Sequence, residues 1–80
     1  MLTEYLRTAM RRAHYEMLAE DNLFYDEIPP LEGLWATGET LEACREELER
    51  TLEDWIFVRI SRNLALPPID GLELRKLQAV

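Results

Sequence analysis

The side chains that could do chemistry in this chain are mostly carboxylates. Asp26 and Glu27 are adjacent, with Glu16 upstream and Glu32 downstream. Carboxylates from neighbouring strands can converge on Mg²⁺, the arrangement a metal-dependent nuclease needs. The competing reading is that they are solvated strand-edge acids that discourage edge-to-edge pairing, and that reading is preferred. Asp26 differs from the rest, because alternation puts it on the same strand face as Phe24 and Ile28, an interior or interface position. His14 is the only histidine and Cys44 the only cysteine. Neither has a second ligand of its kind for a metal site or a base–nucleophile pair. His14 follows two arginines and is read as structural or surface. Cys44 falls on an apolar stripe, where cysteine behaves as a small hydrophobe. No catalytic, cofactor-binding or metal-binding residue is assigned, and the chain is not expected to be an enzyme.

The elements that position these groups follow from periodicity. Residues 3–13 read as a helix capped by Thr3, with Leu2, Leu6, Ala9, Met10 and Ala13 at helical spacing. Residues 14–19 and 23–28 alternate as two strands around the turn signal Asp21-Asn22, which predicts a hairpin. Pro29-Pro30 cannot donate ladder hydrogen bonds, so the second strand ends there or runs along an edge. Gly33 reverses the chain, and residues 34–37 form a third strand. Gly38 is expected in a left-handed conformation. Thr40 caps a long helix over residues 41–62, with Glu39 and Glu42 at its positive end. Its stripe is Leu41, Cys44, Leu48, Leu52, Trp55, Ile56 and Ile60. Arg59, near the middle of that stripe, either marks where the helix outruns the core or pairs with a carboxylate. Asn63 ends the helix, and residues 72–77 suggest a final short strand.

Phe57 and Val58 break the stripe. At about 100° per residue, they lie roughly 140° and 120° from Leu52 in opposite directions. A helix apolar most of the way round is buried most of the way round. The far side of residues 52–60, including Phe57 and Val58, is therefore expected to meet a second copy of the chain in a dimer or tetramer. An 80-residue domain is a marginal folder on its own core, and a single cysteine rules out an intrachain disulfide.

Nine basic and sixteen acidic residues give a net charge of −7. That balance disfavours nucleic acid and anionic membranes and favours basic proteins. No segment is long and apolar enough to span a membrane, which takes about 20 residues. The N-terminus lacks an apolar signal core, so a cytoplasmic location is expected.

The order strand, strand, strand, helix, strand resembles the HicB-like antitoxin domain. The resemblance rests on Phe24, Tyr25, Ile28, Pro29, Leu31, Gly33, Trp35, Ala36, Gly38, Glu39, Thr40, Leu41 and Glu42, with Trp55 late in the helix. It covers about residues 14–74. It implies a partial ribonuclease-H-like α+β fold of β-β-β-α-β core, lacking that fold's catalytic acids, and a HicA-type partner, a small basic toxin that cleaves RNA. Residues 1–13 add a helix, as in a stand-alone branch of the family. The DNA-binding domain that many members carry is not expected within these 80 residues. On this reading Glu27 and Glu32 meet the toxin's basic face, while Leu34 and Trp35 supply apolar anchors. The alternative is a stand-alone oligomer of the same fold with no toxin, and the third reading is a nuclease using Asp26.

Overall fold

A computed structural model describes residues 2–69. The chain forms α1 (Leu2–Arg11), β1 (His14–Leu18), β2 (Leu23–Glu27), β3 (Trp35–Gly38) and α2 (Leu41–Ser61). This is the α+β order expected. The predicted strand at 72–77 lies outside the described residues.

Among the described residues the strands make one antiparallel sheet in the order β1-β2-β3. The first hairpin pairs Leu18 with Leu23 and His14 with Glu27. Asn22 closes it at φ 55°, a left-handed conformation that asparagine tolerates better than most residues. The second pairing sets Asp26 opposite Ala36 and Glu27 opposite Trp35. β2 is thus the central strand, and Pro29-Pro30 ends it just beyond Glu27.

The segment from Ile28 to Leu34 folds into two successive turns. Leu31 N–H donates to the Ile28 carbonyl at 2.8 Å, and Leu34 N–H donates to the Leu31 carbonyl at 3.2 Å. Ile28 N–H closes the unit on the Leu34 carbonyl at 3.3 Å. Residues three apart therefore share a side, and Ile28, Leu31 and Leu34 are all buried. Gly33 supplies the positive φ of 82° that the reversal needs. Gly38 does not adopt the left-handed conformation predicted for it; it is required for a different reason. A Cβ there would collide with the backbone nitrogen of Cys44 and lie 2.7 Å from its Cα. The absence of a side chain lets β3 run directly under the first turn of α2.

α2 crosses one face of the sheet. Thr40 is its N-cap, and its hydroxyl accepts from Ala43 N–H at 3.0 Å. Cys44, Leu48, Leu52 and Ile56 form the buried stripe, with Trp55 and Ile60 packed at its margin. Each fully buried leucine contributes about 1.5–3 kcal/mol of transfer free energy. Leu41, placed on that stripe from the sequence, is instead exposed, because the helix begins beyond the edge of the core.

The helix ends in a Schellman arrangement. Asn63 takes φ 59°, its N–H reaches the Ile60 carbonyl, and Leu64 N–H reaches the Arg59 carbonyl. Arg59 does neither of the things anticipated. Its Nε and Nη2 donate to the Ala65 carbonyl at 3.0 and 2.9 Å, and its guanidinium lies 5.0 Å from the Trp55 ring centre.

α1 packs against α2 and places Tyr5 and Ala9, both fully buried, in the core. Tyr5 was absent from the predicted stripe, and Thr3 lies within the first turn of α1 rather than ahead of it. The Tyr5 hydroxyl donates to the Pro67 carbonyl at 2.6 Å. Burial pushes its phenol pKa up to about 12, opposed by the positive charge of Arg59.

Candidate functional site

Alternation along the strands sorts the acids between two faces. Asp26 faces α2, on the side that carries Ile28 and Ala36. Glu16, Tyr25, Glu27 and Trp35 project from the opposite face, as the pairings Glu16–Tyr25 and Glu27–Trp35 require. The strand carboxylates therefore do not converge. Among the described residues no cluster of three or more His, Cys, Asp or Glu side chains has metal-binding geometry.

Asp26 is 0% exposed, the interior position that its alternation with Phe24 and Ile28 indicated, and not a solvated strand-edge acid. Among the described residues neither carboxylate oxygen has a hydrogen-bond partner of full geometry. Burial raises its pKa above the usual 3.8, opposed in part by the dipoles of the nearby Cys44 S–H and of its own backbone N–H. The thiol itself donates to the Ala36 carbonyl at 3.7 Å. Burial, then the adjacent Asp26, pushes the Cys44 thiol up to about 12. A thiol so disposed is a poor nucleophile. His14 is exposed at the start of β1, opposite Glu27.

The other sheet face carries an ordered polar–aromatic group. Trp35 is 54% exposed and stacks on Tyr25, with ring centres 6.0 Å apart and planes at 23°. The two rings sit diagonally across the β2–β3 pair, within reach for aromatic side chains. Glu27 lies directly opposite Trp35 and accepts a hydrogen bond from the Tyr25 hydroxyl at 3.1 Å. Burial, followed by the Glu27 hydrogen bond and charge, raises the Tyr25 phenol. Where this face meets the Ile28–Leu34 turns, Tyr25, Glu27, Glu32 and Trp35 border an open cleft of about 360 Å³. β1, β2 and β3 contain no lysine or arginine.

Of the residues assigned to a partner, Glu27, Glu32 and Trp35 are thus brought together. Leu34 is not presented with them. It is 3% exposed and belongs to the core, because the turn closed on Ile28 N–H holds its side chain inward. Tyr25 was missed as a site residue, although its i,i+2 spacing from Glu27 placed both on one face. Phe57 and Val58 are exposed on α2, Phe57 at 71%. Val58 borders a second groove of about 450 Å³ with Trp55 and Leu64.

The UPF0150-like family model matches residues 4–67. The chain belongs to this family. A solved structure, TTHA0281 from Thermus thermophilus, is 43% identical, with 92% of this chain and 91% of that chain aligned and a TM-score of 0.88. No curated protein matches. The UPF0150-like fold is therefore that of α1, the three-stranded sheet and α2. No helix among its described residues is long and apolar enough to cross a membrane.

Proposed function

We propose that this chain is a HicB-like antitoxin domain that binds and masks a small basic RNA-cleaving toxin of the HicA type. The observation that carries this reading is the sheet face opposite α2, which no described element covers. It presents a half-exposed tryptophan beside Glu27 and Glu32, on a sheet whose strands carry no lysine or arginine, in a chain of net charge −7. An aromatic anchor ringed by charge of one sign suits a protein partner of the other sign. Masking would act by occlusion, with the acids speeding encounter and Trp35 holding the complex. The placement of Asp26 away from Glu16 and Glu27 favours binding over metal-dependent cleavage by this chain.

The test is co-expression with the adjacent gene, followed by mass determination and an RNA-cleavage assay. A one-to-one or higher complex that weakens with salt and suppresses cleavage supports masking. A small basic neighbour that cleaves RNA equally well with this protein present would end it.

A second reading, a stand-alone oligomer, is favoured by the exposed Phe57 and Val58 on α2. It predicts a dimer or tetramer by sedimentation without any partner, disrupted by Phe57→Asp. A monomer at all concentrations would exclude it.

A further inference from the structure

The cleft beside Trp35 has a composition more particular than "acidic surface". Its wall is a pair of near-parallel aromatic rings, 6.0 Å between centres. Glu27, already held in place by the Tyr25 hydroxyl, and Glu32 both line the cleft. Among the described residues neither glutamate is paired with a lysine or arginine. Gly33 at the cleft's edge has no side chain, and open space surrounds the position a Cβ would take. The three features together match one side chain. A guanidinium is flat, so it stacks on a tryptophan or tyrosine face, and it donates two parallel hydrogen bonds to a carboxylate in the same plane. An ammonium does neither in the same way: it is compact, strongly hydrated and without a planar fork.

We propose that this cleft is an arginine-specific pocket. It takes the side chain of one arginine on a basic partner protein, stacked on Trp35 and clamped by Glu27, with Glu32 adding charge. The Tyr25 hydroxyl is the positioning group: it fixes the Glu27 carboxylate next to the ring face before the partner arrives, which lowers the ordering cost of binding. The pocket rests on the reading of the chain as a binder of a basic protein and adds how that protein is recognised.

The experiment uses the full chain and two capped peptides, acetyl-Gly-Gly-Arg-Gly-Gly-amide and its lysine counterpart, titrated while the indole N–H resonances of Trp35 and Trp55 are followed. The arginine peptide should bind about fivefold more tightly than the lysine peptide and should shift the Trp35 indole rather than that of Trp55. Glu27→Gln should remove most of that preference. Tyr25→Phe keeps the ring and frees the carboxylate, so it should weaken arginine binding and leave lysine binding little changed. Equal affinities, shifts centred on Trp55, or an unaffected Glu27→Gln variant would overturn the pocket. So would loss of self-association in Glu27→Gln without a peptide effect, which assigns the cleft to a second copy. The pocket and the masking role fail separately. Arginine-selective binding at Trp35 without any toxin partner keeps the pocket and removes masking. A toxin held equally well by Glu27→Gln, with no arginine preference among the peptides, removes the pocket and keeps masking.

Discussion

The Asp26 carboxyl and the Cys44 thiol are neighbours beneath α2, and burial opposes the charged form of both. The thiol's hydrogen bond goes to the Ala36 carbonyl, and among the described residues neither Asp26 oxygen meets a donor in full hydrogen-bonding geometry. A charged group in that position works against the fold.

Asp26→Asn should therefore stabilise the protein at neutral pH, because the amide keeps the side chain's shape and removes the charge that burial disfavours. The sign follows from linkage. A carboxyl whose pKa is raised on folding contributes most below its unfolded value of 3.8, and that contribution is lost as pH rises through the folded pKa. The gap between variant and wild type should thus narrow on acidification towards 3.8. Urea denaturation of both proteins at several pH values measures it. A less stable variant at pH 7 would mean that Asp26 has a partner, such as an ion or a second chain.

Cys44 provides an independent probe of the same place. With its thiol raised to about 12 and no exposed surface, it should react with a thiol reagent at pH 8 only as fast as the protein opens. Labelling should accelerate in urea along the unfolding curve. Prompt, complete labelling of the native protein would show that α2 lifts from the sheet.

Gly38, at the end of β3, and Gly33, in the turn before it, should respond differently to alanine. At Gly38 the added Cβ meets the backbone of α2, which cannot step aside, so Gly38→Ala should cost about 1–3 kcal/mol. At Gly33 the Cβ meets nothing, and only the left-handed φ of 82° is penalised, by about 1–2 kcal/mol. Circular dichroism should also show Gly38→Ala losing α2 contacts, as a drop in near-ultraviolet signal, whereas Gly33→Ala keeps that signal.

Leu34 and Trp35 are adjacent and should separate packing from recognition. Leu34→Ala removes a buried side chain and should cost about 2–5 kcal/mol. Trp35→Ala loses chiefly its stack on Tyr25, worth about 0.5–1.5 kcal/mol, while abolishing partner binding. Thermal melts paired with a binding assay test both, and a Trp35→Ala protein as unstable as Leu34→Ala would place the indole in the core.

Much of this was legible in the sequence, because single-element periodicity carried it. The order of helix, three strands and helix, the buried stripe from Cys44 to Ile56, the Thr40 cap and the turn at Asn22 each follow from spacing within a few residues. What was hidden depends on relations between elements. Alternation put Asp26 on the Phe24–Ile28 face, but its charge pulled the reading towards solvent, and only the passage of α2 overhead decided it. Leu34 was read as strand because its inward direction comes from a hydrogen bond between Ile28 and Leu34, across the turn. The Tyr25–Trp35 stack depends on strand register, and the need for glycine at position 38 depends on how closely α2 approaches.

The hydrogen bond from Tyr5 to Pro67 spans 62 residues, and Arg59 grips Ala65 two positions earlier. The opening helix and the strap after α2 are thereby buttoned to each other. Substitutions in α1 that disturb Tyr5 should therefore also loosen the segment around Pro67, so the two are best altered as a pair.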